Sequence, residues 1–119
     1  MIRIERIYGS EPVRGKKEIR VLADRLWPRG LKKEKAAIDE WLKDIAPSNE
    51  LRAWFGHDPE KWPEFKQRYF RELDGRQDLV DSLIGLKKKG TVVLLYAAKD
   101  EEHNNAVALK EYIENKTGG

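Results

Sequence analysis

The 119-residue chain has no cysteine and only two histidines. Without cysteine there is no disulfide, no thiolate zinc site and no sulfur nucleophile, and two histidines cannot build an all-histidine metal centre. No apolar run approaches the length of a membrane span, and the first residues lack a signal-like segment. The expectation is therefore a cytoplasmic protein with no membrane partner and no metal. A dominant charge sign is missing too: 24 Lys and Arg against 21 Asp and Glu leave a net charge of +3. Proteins that coat a polyanion normally show a stronger imbalance. The Gly-rich dinucleotide fingerprint, the P-loop, the HExxH zinc motif and the GxSxG elbow are all absent, so no cofactor is expected. Ser10, Ser48 and Ser82 sit in no nucleophile setting.

What is present is enough to fold. Hydrophobic residues make up 39% and charged residues 38%, with a mean hydropathy of -0.77. The length fits a single domain over residues 1–119. Residues 3–8 alternate weakly and read as a first strand, followed by a Gly- and Pro-bearing loop over 9–17. Residues 19–27 carry apolar groups on both faces, as a covered central strand does, until Pro28 stops it. Ile38, Trp41, Leu42 and Ile45 fall at i, i+3, i+4 and i+7, which predicts a helix ended by Pro47. Ser48 is placed to cap a short helix closed by Gly56, and Asp58-Pro59 to start another that runs to Asp74-Gly75. A further helix over 77–88, a buried strand over 91–98 and a last helix over 104–116 complete the order. The last residues, 117–119, should fray. The resulting fold class is α/β: a small, mainly parallel sheet layered with helices. Residues 19–26 and 92–96 should be neighbouring parallel strands.

Open parallel sheets bind ligands beyond the carboxyl ends of their strands. That directs attention to DRLWPRG (24–30) and YAAKDEEHNN (96–105). Arg25 and Arg29 carry planar forks that match phosphate oxygens, and Trp27 offers a stacking face. The competing structural reading pairs Asp24 with an arginine and puts Trp27 in the core. In the second segment Lys99, Asp100, His103 and Asn104 lie where a strand leads into a helix N-terminus, although Asp100, Glu101 and Glu102 also suit the helix dipole. His57, between Gly56 and the capped helix, is placed as a general acid or base. Lys43 and Arg52 read as solvated.

DRLWPRG, WLKDIAPS (41–48), LRAWFGHDPEKWPEF (51–65) and LLYAAKDEEHNNA (94–106) resemble the YeaO-like branch of the domain-of-unknown-function 488 family, over residues 2–113. The resemblance implies membership without a reaction. More distant members look as though they place cysteine and a CHR-type triplet near the last loop. Here Asn104, Asn105 and Ala106 stand there, so thiol or metal chemistry does not carry over. Some relatives bear a transcriptional-regulator label. The helix that would have to read DNA instead carries Leu51, Trp54 and Phe55, a packing face.

The favoured expectation is a pocket for a small anionic or phosphorylated ligand, in a binding protein or an enzyme. Arg25, Arg29 and Lys99 would hold the anion, with Trp27 and Asn104 also contacting it. His57 and His103 are the proton-transfer candidates, and Asp24 or Asp100 would orient one of them. The alternative is a weak, non-specific nucleic-acid-binding module using Lys32, Lys33, Lys35 and Lys87 to Lys89.

Overall fold

The computed structural model describes residues 1–8, 17–33 and 37–118. The expected loop at 9–17 falls, apart from Lys17, outside the described residues, as do Lys35 and the last residue of the fraying tail.

The chain forms β1 (Ile2–Arg6), β2 (Glu18–Leu22), β3 (Glu40–Trp41), a 3-10 turn at Lys43–Ile45 and α1 (Asn49–Phe55). A second 3-10 turn at Pro59–Lys61 leads into α2 (Trp62–Asp74), which is followed by α3 (Gln77–Lys89), β4 (Thr91–Tyr96) and α4 (Asn105–Thr117). The strands pair in the order β1-β4-β2-β3, and every pairing is parallel. β2 and β4 are indeed neighbours, with Ile19 opposite Val92 and Leu22 opposite Leu95.

Strand periodicity divides the sheet into two unlike faces. Val21, Val92, Leu94 and Tyr96 join Phe65, Tyr69, Leu83, Leu109 and Ile113 from the helices in the main core. On the opposite face Leu22, Val93 and Leu95 are covered by Ile7, Trp27 and Ile38. All four described helices contribute to the first face alone, so β2 is covered on both sides as expected, by helices on one face and by Ile7, Trp27 and Ile38 on the other.

The rest of the second face is ionic. Arg3 on β1 bridges to Glu18 on β2 at 2.9 Å and to Glu5 at 3.1 Å, while Arg20 donates to Glu5 at 2.6 Å and to the Ala37 carbonyl at 2.9 Å. The Arg3–Glu18 and Arg20–Glu5 pairs reach across β4, whose Val93 lies between Arg3 and Arg20 in register. Arg20 is only 2% exposed, and a buried guanidinium of this kind must have partners.

Two elements differ from expectation. Residues 38–45 are not helical: the Asp39 and Leu42 amides donate to the Arg20 and Leu22 carbonyls, so the segment extends the sheet as β3 before its 3-10 turn. The helix-like spacing arose because Ile38 packs on one face of the sheet and Leu42 and Ile45 on the other. β2 also stops at Leu22 rather than Trp27, leaving Leu26 at 65% exposure. The predicted caps are in place: Ser48 accepts from the Leu51 amide, Asp58 from Glu60, and Gly56 adopts the left-handed region at φ 53°. Gly90 is required by space, since a Cβ there would stand 2.1 Å from the Lys17 carbonyl oxygen.

Candidate functional site

After β2 the chain turns toward β3, whereas after β4 it turns into α4, which packs on β1 and β4. The two connections diverge at the carboxyl ends of adjacent strands, the crevice where open parallel sheets hold ligands. A cleft of about 800 Å³ lies there, walled by residues of both connections and by α1.

Asp24 forms the deep wall. One carboxylate oxygen accepts from the Ala97 amide at 3.0 Å and the other from Asn105 Nδ2 at 2.9 Å. Asn105 Nδ2 also donates to the Ala23 carbonyl at 2.6 Å, so a single amide ties the end of β2 to the start of α4. Burial raises the Asp24 pKa and outweighs the opposing pull of Asn105, the Ala97 amide and the Arg52 charge. Among the described residues Asp24 has no direct ion pair with an arginine; its hydrogen-bond partners are neutral. The Asp24 carbonyl accepts from Trp41 Nε1 at 2.7 Å.

The arginines divide. Arg25 donates to the Ala46 carbonyl at 3.2 Å and the Pro47 carbonyl at 3.4 Å, with Asp44 at 3.8 Å. Arg76 donates to the same Ala46 carbonyl at 2.7 Å, so two guanidiniums staple the turn before α1. Arg29 is exposed on the cleft wall and its side chain has no hydrogen bond or ion pair among the described residues; only its carbonyl is engaged, by Tyr8 Oη at 2.9 Å. Arg52 also lines the cleft, with a single long contact to Asn49 at 3.3 Å.

The remaining predicted residues separate in the same way. Trp27 borders the cleft, but its Nε1 donates to the Leu31 carbonyl at 2.8 Å and its ring meets Trp41 edge-on at 5.5 Å. His103 lines the cleft with Nδ1 2.9 Å from Asp100, and its ring meets Trp62 edge-on at 5.4 Å. Asp100 also accepts from the Glu102 and His103 amides, and these bonds hold its pKa below the ordinary value. His57 lines the mouth in a left-handed conformation at φ 58°, which only a few per cent of non-glycine residues adopt. Asn104 is buried and used up as the α4 cap, accepting from the Val107 amide and donating to the Asp100 carbonyl. Lys99 is exposed, and neither it nor Asp100 is among the lining residues.

Arg25, Arg29, His57 and His103 therefore share one cleft, and Lys99 stays outside it. Sequence reasoning missed Asn105 and Arg52. The signal for Asn105 was the Asn-Asn pair itself, since once the first residue caps the helix the second is free to face the strand ends. Among the described residues no cluster of His, Asp or Glu is arranged to hold a metal ion, and no helix is long and apolar enough to cross a membrane. Lys87 to Lys89 end α3 where it enters β4, at the opposite end of the sheet from the cleft arginines.

Residues 1–118 match the family model described as the inactive DUF488-N3 subclade. The chain belongs to this subclade. It is 38% identical to the uncharacterized protein YeaO of Escherichia coli K12 over 94% of this chain and 96% of that protein. It is 35% identical to the uncharacterized protein Rv3073c of Mycobacterium tuberculosis over 94% of this chain and 92% of that protein. No solved structure matches significantly. This DUF488-N3 member thus lies in the YeaO-like branch that its four sequence strings resemble.

Proposed function

We propose that this DUF488-N3 member is a cytoplasmic binding protein for an anionic or phosphorylated ligand, held in the cleft beyond β2 and β4. The observation that carries the reading is the charge inventory of the cleft: among the described residues Arg25, Arg29 and Arg52 line it with one carboxylate, Asp24, and the Arg29 guanidinium has no protein partner. A planar guanidinium left without a carboxylate is suited to take phosphate oxygens bidentately. Arg29 and Arg52 are the anion contacts, while Arg25 holds the wall behind them. His57 and His103 are polar contacts at the mouth, with Asp100 fixing the orientation of the His103 ring. The description of the subclade as inactive supports binding without turnover.

Calorimetric titration with pyrophosphate tests this reading. The wild-type protein should give saturable one-site binding, and Arg29→Ala should remove it with an unchanged melting profile. Duplex DNA should bind weakly, with a steep salt dependence and no sequence preference. Unchanged pyrophosphate affinity in Arg29→Ala, or tight sequence-selective DNA binding at physiological salt, would overturn the reading.

A further inference from the structure

We infer that the ligand of this cleft is a phosphorylated sugar or polyol, its hydroxyl groups donating to Asp24 and Asn105 while its phosphate meets Arg29 and Arg52. The inference rests on the anion reading above and adds what the deep wall demands.

An ionised carboxylate offers about four acceptor positions. Asp24 uses one on each oxygen, for Ala97 and for Asn105, and the residue lines the cleft with acceptor capacity to spare. Asn105 has both amide hydrogens committed to Asp24 and Ala23. Those two partners are acceptors, so the nitrogen must face them and the amide orientation is fixed. Its Oδ1 is then left as an acceptor with no partner among the described residues. The deep wall therefore presents acceptors, and a bound molecule has to bring donors.

Those donors are neutral. An ammonium group would enter a cleft where, among the described residues, three arginines oppose one carboxylate, and the Arg52 charge already acts on Asp24. Hydroxyls satisfy the same acceptors without that repulsion. The dimensions agree: about 800 Å³ is within the range of small-molecule sites and far more than an inorganic anion fills. Phe55 and Phe65 supply apolar wall for the carbon skeleton of such a molecule.

The decisive probes are ribose 5-phosphate, n-butyl phosphate and ribose, each titrated calorimetrically into the intact protein. The two monoesters carry the same phosphate charge, and only one carries hydroxyls. Ribose 5-phosphate should bind at least roughly tenfold more tightly than butyl phosphate, because hydrogen bonds to an ionised acceptor are worth that much or more. Ribose alone should not bind measurably. Asp24→Asn should pull ribose 5-phosphate down toward butyl phosphate and leave butyl phosphate within about twofold of its wild-type value. Equal wild-type affinity for the two monoesters would overturn the hydroxyl claim and leave the anion site standing; binding of neither would overturn both. The wild-type ratio decides the matter even if Asp24→Asn does not fold. Adenosine 5′-monophosphate distinguishes the source of the sugar. Tighter binding than ribose 5-phosphate assigns the site to the sugar phosphate of a nucleotide, and weaker binding to a free one.

Discussion

The ionic face of the sheet and the cleft at its carboxyl end both gather arginines around carboxylate, two glutamates on the face and Asp24 in the cleft, and they handle charge in opposite ways. Across β1, β4 and β2, Arg3, Glu5, Glu18 and Arg20 form a continuous chain of pairs. In the cleft Asp24 is held by neutral donors, and the Arg29 guanidinium has no partner among the described residues. A charge that serves folding must be compensated when it is buried, whereas one that serves a ligand has to stay available. Arg25 shows that residue type does not decide which. It stands four positions before Arg29 in one motif, yet its guanidinium closes onto backbone carbonyls.

Substitutions sharpen this contrast, and the largest effect belongs to the ionic face. Arg20→Ala removes the donor of the Ala37 carbonyl, leaves Glu5 with Arg3 alone and empties a fully buried side-chain position. It should cost about 3–5 kcal/mol in urea unfolding. Arg25→Ala leaves the Pro47 carbonyl without a donor and Ala46 with Arg76 alone, and should cost about 1.5–3 kcal/mol. Arg29→Ala should stay within about 0.5 kcal/mol of wild type in the same assay, as an exposed, unpaired side chain does. Equal losses for Arg25→Ala and Arg29→Ala would erase the proposed division of roles.

The pH dependence of stability separates the two regions by sign. Burial alone would raise the Glu5 pKa, but hydrogen bonds and charge from Arg20 and Arg3 outweigh it and hold it below the ordinary 4.5. Its contribution is therefore fully present above that value and is lost as pH falls through the lower folded-state value. The Asp24 pKa is raised, so its stabilising effect belongs to the protonated form and fades as pH climbs above the ordinary aspartate value of 3.8. Glu5→Gln should flatten the acid limb of a stability–pH curve, and a limb that survives intact would place the acid-sensitive pair elsewhere.

The smallest effect is expected at His57. Its left-handed backbone follows a left-handed Gly56, a strained arrangement that glycine relieves. His57→Gly should leave stability unchanged or raise it by up to about 1 kcal/mol. A clear loss would mean that the imidazole supports the fold rather than the cleft.

Much of this arrangement was legible in the sequence. The run from Val92 to Leu95 reads as a buried strand because both faces of β4 are covered, and Ser48, Asp58 and Gly56 announce helix ends through backbone chemistry that acts locally. Residues 38–45 misled because a helical spacing also arises when a short edge strand and a turn send apolar side chains to opposite sides of a sheet. Arg20 was illegible for a related reason. Its partner Glu5 lies two strands away, and nothing local shows that the space between them closes. In the site, strand ends pointed to Asp24, Arg25 and Arg29, but whether a guanidinium meets a carbonyl or solvent depends on the path of residues 44–47. The Asn-Asn pair could be placed at the start of α4 from sequence, although which residue caps and which faces Asp24 is fixed by one residue of register.

The central claim, that the uncompensated charges of the cleft await an anion, is tested most directly by a phosphate titration of ¹⁵N-labelled protein followed by NMR. The expected result is saturable shifts centred on the Arg29 and Arg52 side chains and on His57 and His103, with no comparable change at Lys87 to Lys89. Shifts that grow without saturating, or that centre on those lysines, would contradict it.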